Sequence, residues 1–261
     1  MMSELIRNIP LQDALDAWGA ERNNQTFGRV LSRAIVGELL LDISASQLAD
    51  PAGGFRQGDT LSIASQVDNA GKRLLVAYTD NERLVAVTGA DARSLGQPAV
   101  AVLQNAIIDY DGIVIDPRHP DMFIAYSDEL QRGLGRDPIT AARIATDLTE
   151  RSRPVREVLE EIAAAPVYIA AEVVRSAEGE VQGMSVQLAS GGDGATLSPV
   201  FTTPAQVWAW APQLEARETR LANVARVALD DGHAGIIIDP AGPSLTLPAD
   251  ALPALAKGER A

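Results

Sequence analysis

Gly112-Ile113-Val114-Ile115-Asp116-Pro117 and Gly235-Ile236-Ile237-Ile238-Asp239-Pro240 are two versions of one strand and turn. Upstream of them, Leu74-Leu75-Val76-Ala77-Tyr78-Thr79-Asp80 is echoed by Leu197-Ser198-Pro199-Val200-Phe201-Thr202-Thr203. Both echoes lie 123 residues apart (235 − 112 and 197 − 74), so the register holds without a gap. A solenoid unit is about 20–50 residues long. The longer period here marks a duplicated domain. In each copy an apolar run reads as a strand and Asp-Pro ends it, because proline has no N–H for strand pairing.

Working outward, residues 10–20 and 26–38 have helical spacing, with Asn24 or Thr26 placed to cap the second. Leu39–Ile43 reads as a strand, and Pro51-Ala52-Gly53-Gly54 as a turn. Thr60–Gln66 and Arg73–Tyr78 read as strands joined through Asp68-Asn69-Ala70-Gly71. Thr79 followed by Glu82 has capping-box spacing. Thr203 before Pro204 suits a cap followed by proline at the first helical position. Residues 97–109 and about 216–230 then read as helices, and 122–126 and 244–247 as short strands. Small helices near 127–133 and 248–256 close the copies, and helices at 138–149 and 154–164 open the second. Strands and helices do not alternate strictly, which argues against a doubly wound parallel fold. The expectation is α+β: two tandem homologous domains, 8–135 and 136–257. Each has a mixed or mostly antiparallel sheet of about five strands packed with helices.

The 261 residues carry 35 acidic against 22 basic side chains, a net charge of −13. Such a field repels phosphate backbones and anionic membranes, so neither nucleic acid nor a membrane is the expected partner. No apolar run approaches the ~18 residues of a membrane span. The first residues lack the pattern of a secretory signal. Cysteine is absent, which excludes disulfides, thiolate catalysis and thiolate metal sites. The cytoplasm is the expected compartment.

Val200-Phe201-Thr202-Thr203, Val207-Trp208-Ala209-Trp210, Gly235–Pro240 and Leu245-Thr246-Leu247-Pro248 resemble the SseB amino-terminal domain family, the bacterial "enhanced serine sensitivity" group. The first copy resembles it through Val76-Ala77-Tyr78-Thr79 and Gly112–Pro117, with Val87 where the second copy has Trp210. The resemblance implies a bacterial α+β domain in two tandem copies. It brings no catalytic residues with it.

The residues offer few constellations for chemistry. His119 and His233 occupy unmatched positions in the repeat, and no His-x-x-x-His spacing exists, so neither a metal nor a cofactor is expected. No Gly-x-Ser-x-Gly elbow is present. Gly191-Gly192-Asp193-Gly194 lacks the Lys-Ser/Thr of a phosphate loop and matches the Asp68–Gly71 hairpin turn. Asp109-Tyr110-Asp111 and Asp230-Asp231 sit at helix ends, where acids oppose the dipole. Asp116 and Asp239 are turn residues first. If the loops form a ligand site, Asp116, Arg118, His119 and Asp239 belong to it. It is one-sided, since Ala241 and Gly242 replace Arg118 and His119 in the second copy. Trp208 and Trp210, on different faces of a short helix, are candidate anchors for a protein partner. A duplicated fold also offers a pseudo-twofold surface and a groove at the junction of the repeats, and leaves self-association open.

The expected function is a non-enzymatic protein-interaction or regulatory module. The alternative is a small-molecule sensor of amino-acid type, and behind it a hydrolase of unfamiliar type, which needs a cleft of perturbed acids.

Overall fold

The computed structural model describes residues 6–47, 49, 56–192 and 194–258. The Pro51–Gly54 turn and Asp193 fall outside them. The protein is α+β and divides into two compact units. The first comprises residues 1–22 and 33–131, the second 23–32 and 132–261. The chain passes from the first unit into the second near residue 132. The segment 23–32, however, belongs to the second unit.

The elements of the amino-terminal half run α1 (Ile9–Ala20), α2 (Asn24–Arg33), β1 (Glu38–Asp42), β2 (Ser65–Val67), β3 (Arg73–Ala77), α3 (Asn81–Thr88), β4 (Ser94–Pro98), α4 (Ala99–Ile108), β5 (Gly112–Ile115), β6 (Phe123–Tyr126) and α5 (Ser127–Leu134). Those that follow are α6 (Pro138–Glu150), α7 (Val155–Ala164), β7 (Val167–Arg175), β8 (Val181–Val186), β9 (Ala189–Ser190), β10 (Thr196–Val200), α8 (Pro204–Trp210), β11 (Glu215–Thr219), α9 (Leu221–Asp230), β12 (Gly235–Ile238), β13 (Leu245–Pro248) and α10 (Leu252–Ala256).

In the first unit the sheet order is β2-β3-β5-β6. The central pair β3–β5 is parallel, from Leu74↔Gly112 to Ala77↔Ile115, and the outer pairs are antiparallel. A second pair, β1–β4, is antiparallel and meets the end of β3 through a Leu40↔Tyr78 bridge. The second unit repeats the plan: β9-β10-β12-β13 with β10–β12 parallel, and β8-β7-β11 bridged to it at Tyr168↔Phe201. The strands of each unit are thus mixed but split over two small sheets. Strands β4, β7, β8, β9 and β11 are additions to the sequence reading, and β11 occupies the first residues of the helix expected from about 216.

The glycine that opens each repeated strand has a packing reason. A Cβ on Gly112 would lie 2.3 Å from the Ala125 carbonyl oxygen of β6, and one on Gly235 2.1 Å from that of Leu247 in β13. Only glycine lets the neighbouring strand approach so closely. Around these strands, Leu74, Val76, Tyr78, Leu84 and Val114 form a core in the first unit. Val158, Ile162, Val200, Leu221, Ala225, Ile236, Ile238 and Leu252 form the larger core of the second. Each valine, leucine or isoleucine among them contributes about 1.5–3 kcal/mol on burial.

Several caps differ from expectation by a residue. Asn23 caps α2, its Oδ1 accepting from Thr26 N at 2.9 Å. Asp80, not Thr79, caps α3, accepting from Arg83 N at 2.8 Å. Thr203 caps α8 as expected, one turn before Gln206 N. The acid beyond α4 also has a use: Asp111 accepts from the Arg73 backbone N–H at 2.8 Å, which holds its carboxyl below the usual range. That bond satisfies the start of β3.

Candidate functional site

Two strands that run parallel and side by side end at the same level, and the loops leaving their carboxyl ends face each other. In the first unit those loops are Tyr78-Thr79-Asp80, after β3, and Asp116-Pro117-Arg118-His119, after β5. Asp116 ties them together. Its backbone takes a left-handed conformation with φ of 51°, and its side chain is fully buried. Oδ1 accepts from the Thr79 backbone N–H at 2.9 Å, and Oδ2 accepts from the Thr79 hydroxyl at 2.7 Å.

The second unit makes the same clasp. Asp239 has φ of 48° and accepts from Thr202 N at 2.8 Å and from Thr202 Oγ1 at 2.7 Å. The turn that follows also repeats: His119 N donates to the Asp116 carbonyl, and Gly242 N to that of Asp239. The repeated Asp is therefore a structural clasp in both units.

The first unit adds charge to the clasp. Arg83, on α3, donates from Nη1 to Asp116 Oδ2 at 2.6 Å and reaches Asp121 at 3.1–3.2 Å. His119 Nδ1 is hydrogen-bonded to Asp121 Oδ1 in turn. Burial pushes the Asp116 carboxyl above its ordinary value, against the pull of the Thr79 donors and Arg83. Burial also works against the Arg83 charge, and the carboxylates of Asp116 and Asp121 overcome it, holding the guanidinium above its usual value. On the other side, Gln12 Nε2 donates to Asp80 Oδ2 at 2.6 Å and to Thr79 Oγ1 at 3.1 Å, and Arg7 Nε donates to Gln12 Oε1 at 3.3 Å. A continuous polar rim runs from Arg7 to His119.

That rim surrounds an open cleft of about 430 Å³. Arg7, Arg83, Arg118 and His119 line it with Asp80 and Glu82, above a short apolar wall of Ala86 and Val87. Arg118 is exposed, as are Arg7, Glu82 and His119. It forms no hydrogen bond or ion pair among the described residues, and its backbone is held at φ of 65°. A left-handed conformation is costly for a non-glycine side chain and tends to occur where position matters.

Asp116, Arg118 and His119 thus come together as one loop. Asp239 holds the equivalent place in the other unit, beside Gln206, Ala241 and Gly242 instead of Arg83, Arg118 and His119. Trp208 and Trp210 are both half-buried. Trp208 lies against Gly28 of α2 and Gly133 of α5, and Trp210 against Phe201 with ring centroids 5.5 Å apart. Among the described residues no group of three metal-ligating side chains converges, and no helix is long and apolar enough to cross a membrane. Arg83, Gln12, Asp80 and Asp121 are site residues that the sequence reading missed. Only the position of Arg83, one turn into the helix after the clasping Thr79, could have signalled one of them.

Neither the curated proteins nor the solved structures contain a match to the chain. The SseB protein N-terminal domain matches residues 11–131 and again 143–254. By those two matches, which take in both clasps, the chain belongs to the SseB N-terminal domain family.

Proposed function

We propose that the protein is a non-enzymatic regulatory module whose first unit binds a small molecule carrying both charges, of the free amino acid class. The observation that carries this reading is the cleft at the ends of β3 and β5, where the guanidinium of Arg118, unpaired among the described residues, shares a rim with Glu82. A ligand carboxylate fits the planar fork of Arg118. A ligand ammonium fits the acidic side of the rim. Arg83 is engaged by two aspartates and orients the loop. Nothing in the cleft pairs a nucleophile with a base, which supports binding rather than turnover. The protein-docking reading rests on Trp208 and Trp210, whose rings are engaged with Gly28, Gly133 and Phe201, so the cleft is the stronger of the two.

The test is calorimetric titration with each of the twenty free amino acids, on the native protein and on Arg118→Glu. The expected result is at least one ligand whose affinity falls tenfold or more in the variant. Absence of heat with every amino acid, or equal affinity in both proteins, would overturn the reading.

A further inference from the structure

The second unit holds a different cavity, of about 320 Å³, between β7, β10 and α9. Its walls are aliphatic: Ile169, Val186, Leu188, Val224 and Val227. Val186, Leu188 and Val227 remain 40%, 37% and 55% exposed there. In its lining the buried Ser198 is paired with the half-buried His233, Ser198 Oγ hydrogen-bonded to His233 Nδ1 at 2.8 Å. We infer that this cavity is a binding site for a small uncharged molecule with an apolar body and one hydrogen-bonding head, seated on Ser198 and His233.

The duplication supplies an internal control. Position 198 corresponds to position 75, where the first unit has Leu75, 1% exposed, in the middle of β3. Position 233 corresponds to Tyr110. A strand interior built on the same plan therefore holds a leucine in one unit and a hydroxyl in the other. Strand alternation puts Ser198 on the same face as the core residue Val200, where an aliphatic side chain is the ordinary choice. The hydroxyl keeps hydrogen-bonding capacity beyond its single bond to His233, because oxygen carries one donor and two lone pairs. Mostly apolar walls with a few convergent polar groups are the usual make-up of a small-molecule site, and the volume lies at the small end of the range for such sites. Asp231 also lines the cavity, and the chain carries a net charge of −13, so an anionic head is disfavoured. The site is independent of the cleft in the first unit.

Benzyl alcohol is a suitable probe, with benzoate as its charged counterpart. Ring resonances of His233 would be followed by NMR in the full-length protein, assigned by comparison with His233→Gln. The expected result is a saturable shift with benzyl alcohol, at least tenfold weaker binding of benzoate, and loss of the shift in Val227→Asp. Val227 is exposed, so that variant keeps the fold. Ser198→Leu, which restores the residue of the first unit, should also abolish the shift. No movement of His233 with benzyl alcohol, or an equal response to benzoate, would overturn the inference.

Discussion

Gly28→Ala tests the least expected feature of the fold, the placement of α2 in the second unit. A methyl group on Gly28 would lie 2.7 Å from Ala209 N, 2.7 Å from Trp208 Cβ and 2.9 Å from the Trp208 carbonyl carbon. Carbon atoms in good contact sit about 3.5–4.0 Å apart, so α2 would have to retreat by roughly 1 Å. Two of the three nearest atoms are backbone, so no side chain can swing aside. The retreat would also stretch the bond from Gln25 Nε2 to the Ala209 carbonyl, now 3.2 Å. Against this, alanine is favoured over glycine inside a helix by about 1 kcal/mol. Overpacking costs about 1–3 kcal/mol, and with backbone atoms as the neighbours the cost here falls at the upper end, about 2–3 kcal/mol, so the net expectation is a loss of about 1–2 kcal/mol. For a unit of this size that lowers Tm by roughly 4–8 °C, since each kcal/mol moves it by about 4 °C. Circular dichroism would measure the unfolding, and tryptophan emission would report the loosening around Trp208. A Tm that rises, as helix propensity alone would have it, would show that α2 does not cross α8 at Gly28.

A chain beginning at residue 132 lacks α2 and should lose cooperative unfolding, with red-shifted Trp208 emission; a synthetic 22–34 peptide added in trans should restore both. Asp116→Asn takes the carboxylate from Arg83, and a charge-assisted bond contributes about 1.5–3 kcal/mol; burial already works against the Asp116 charge, so a loss at the low end, about 1.5 kcal/mol, is expected in denaturant titration. Arg83→Gln leaves Asp116 buried without its cation; a loss of about 3 kcal/mol is expected, at the low end for a broken buried pair because Gln206 shows the clasp tolerating an amide there. The two acids shape the acid limb in opposite ways. Arg153 holds Asp147 below its ordinary 3.8, so its stability is present above that pH and lost as pH falls through the folded value. Burial raises Asp116 above 3.8, so its contribution is full below that pH and is lost as pH rises through the folded value. Asp147→Asn should therefore flatten the loss of stability below pH 4, and Asp116→Asn should steepen it, as read by unfolding midpoints from pH 2 to 6.

The duplication was legible because strand-ending chemistry is local. Gly112 and Gly235, Thr79 and Thr202, Asp116 and Asp239 are each fixed by one close approach or one clasp, so both copies kept them. The strands β4 and β11 were not legible, since Ser94-Leu95-Gly96-Gln97-Pro98 contains both strand breakers and Glu215–Thr219 is mostly charged. Their identity comes from pairing with β1 and β7. Helix α2 was readable as an amphipathic helix, but periodicity gives a buried face without naming what buries it. Gly28 is the local trace of its partner, and a lone glycine in a helix has too many readings to choose one.

The clefts were hidden for a different reason, and the same reason makes them informative. A repeat is recognised by what its copies share, and these copies share the groups that close turns and seat strands. Arg83 corresponds to Gln206, Arg118 to Ala241, His119 to Gly242, and Leu75 to Ser198. Each pair sits on a common backbone plan, with the same turn after β5 and β12 and the same parallel pair beneath it. The shared backbone plan therefore does not dictate either member of any pair. The first unit spends its differences on a charged rim around an open cleft, and the second on a hydroxyl and an imidazole in an apolar cavity. Two units freed from a common role in this way would be expected to respond to different ligands. Substitution of Arg118 should then leave the benzyl alcohol response of His233 intact, and substitution of Ser198 should leave amino acid binding intact.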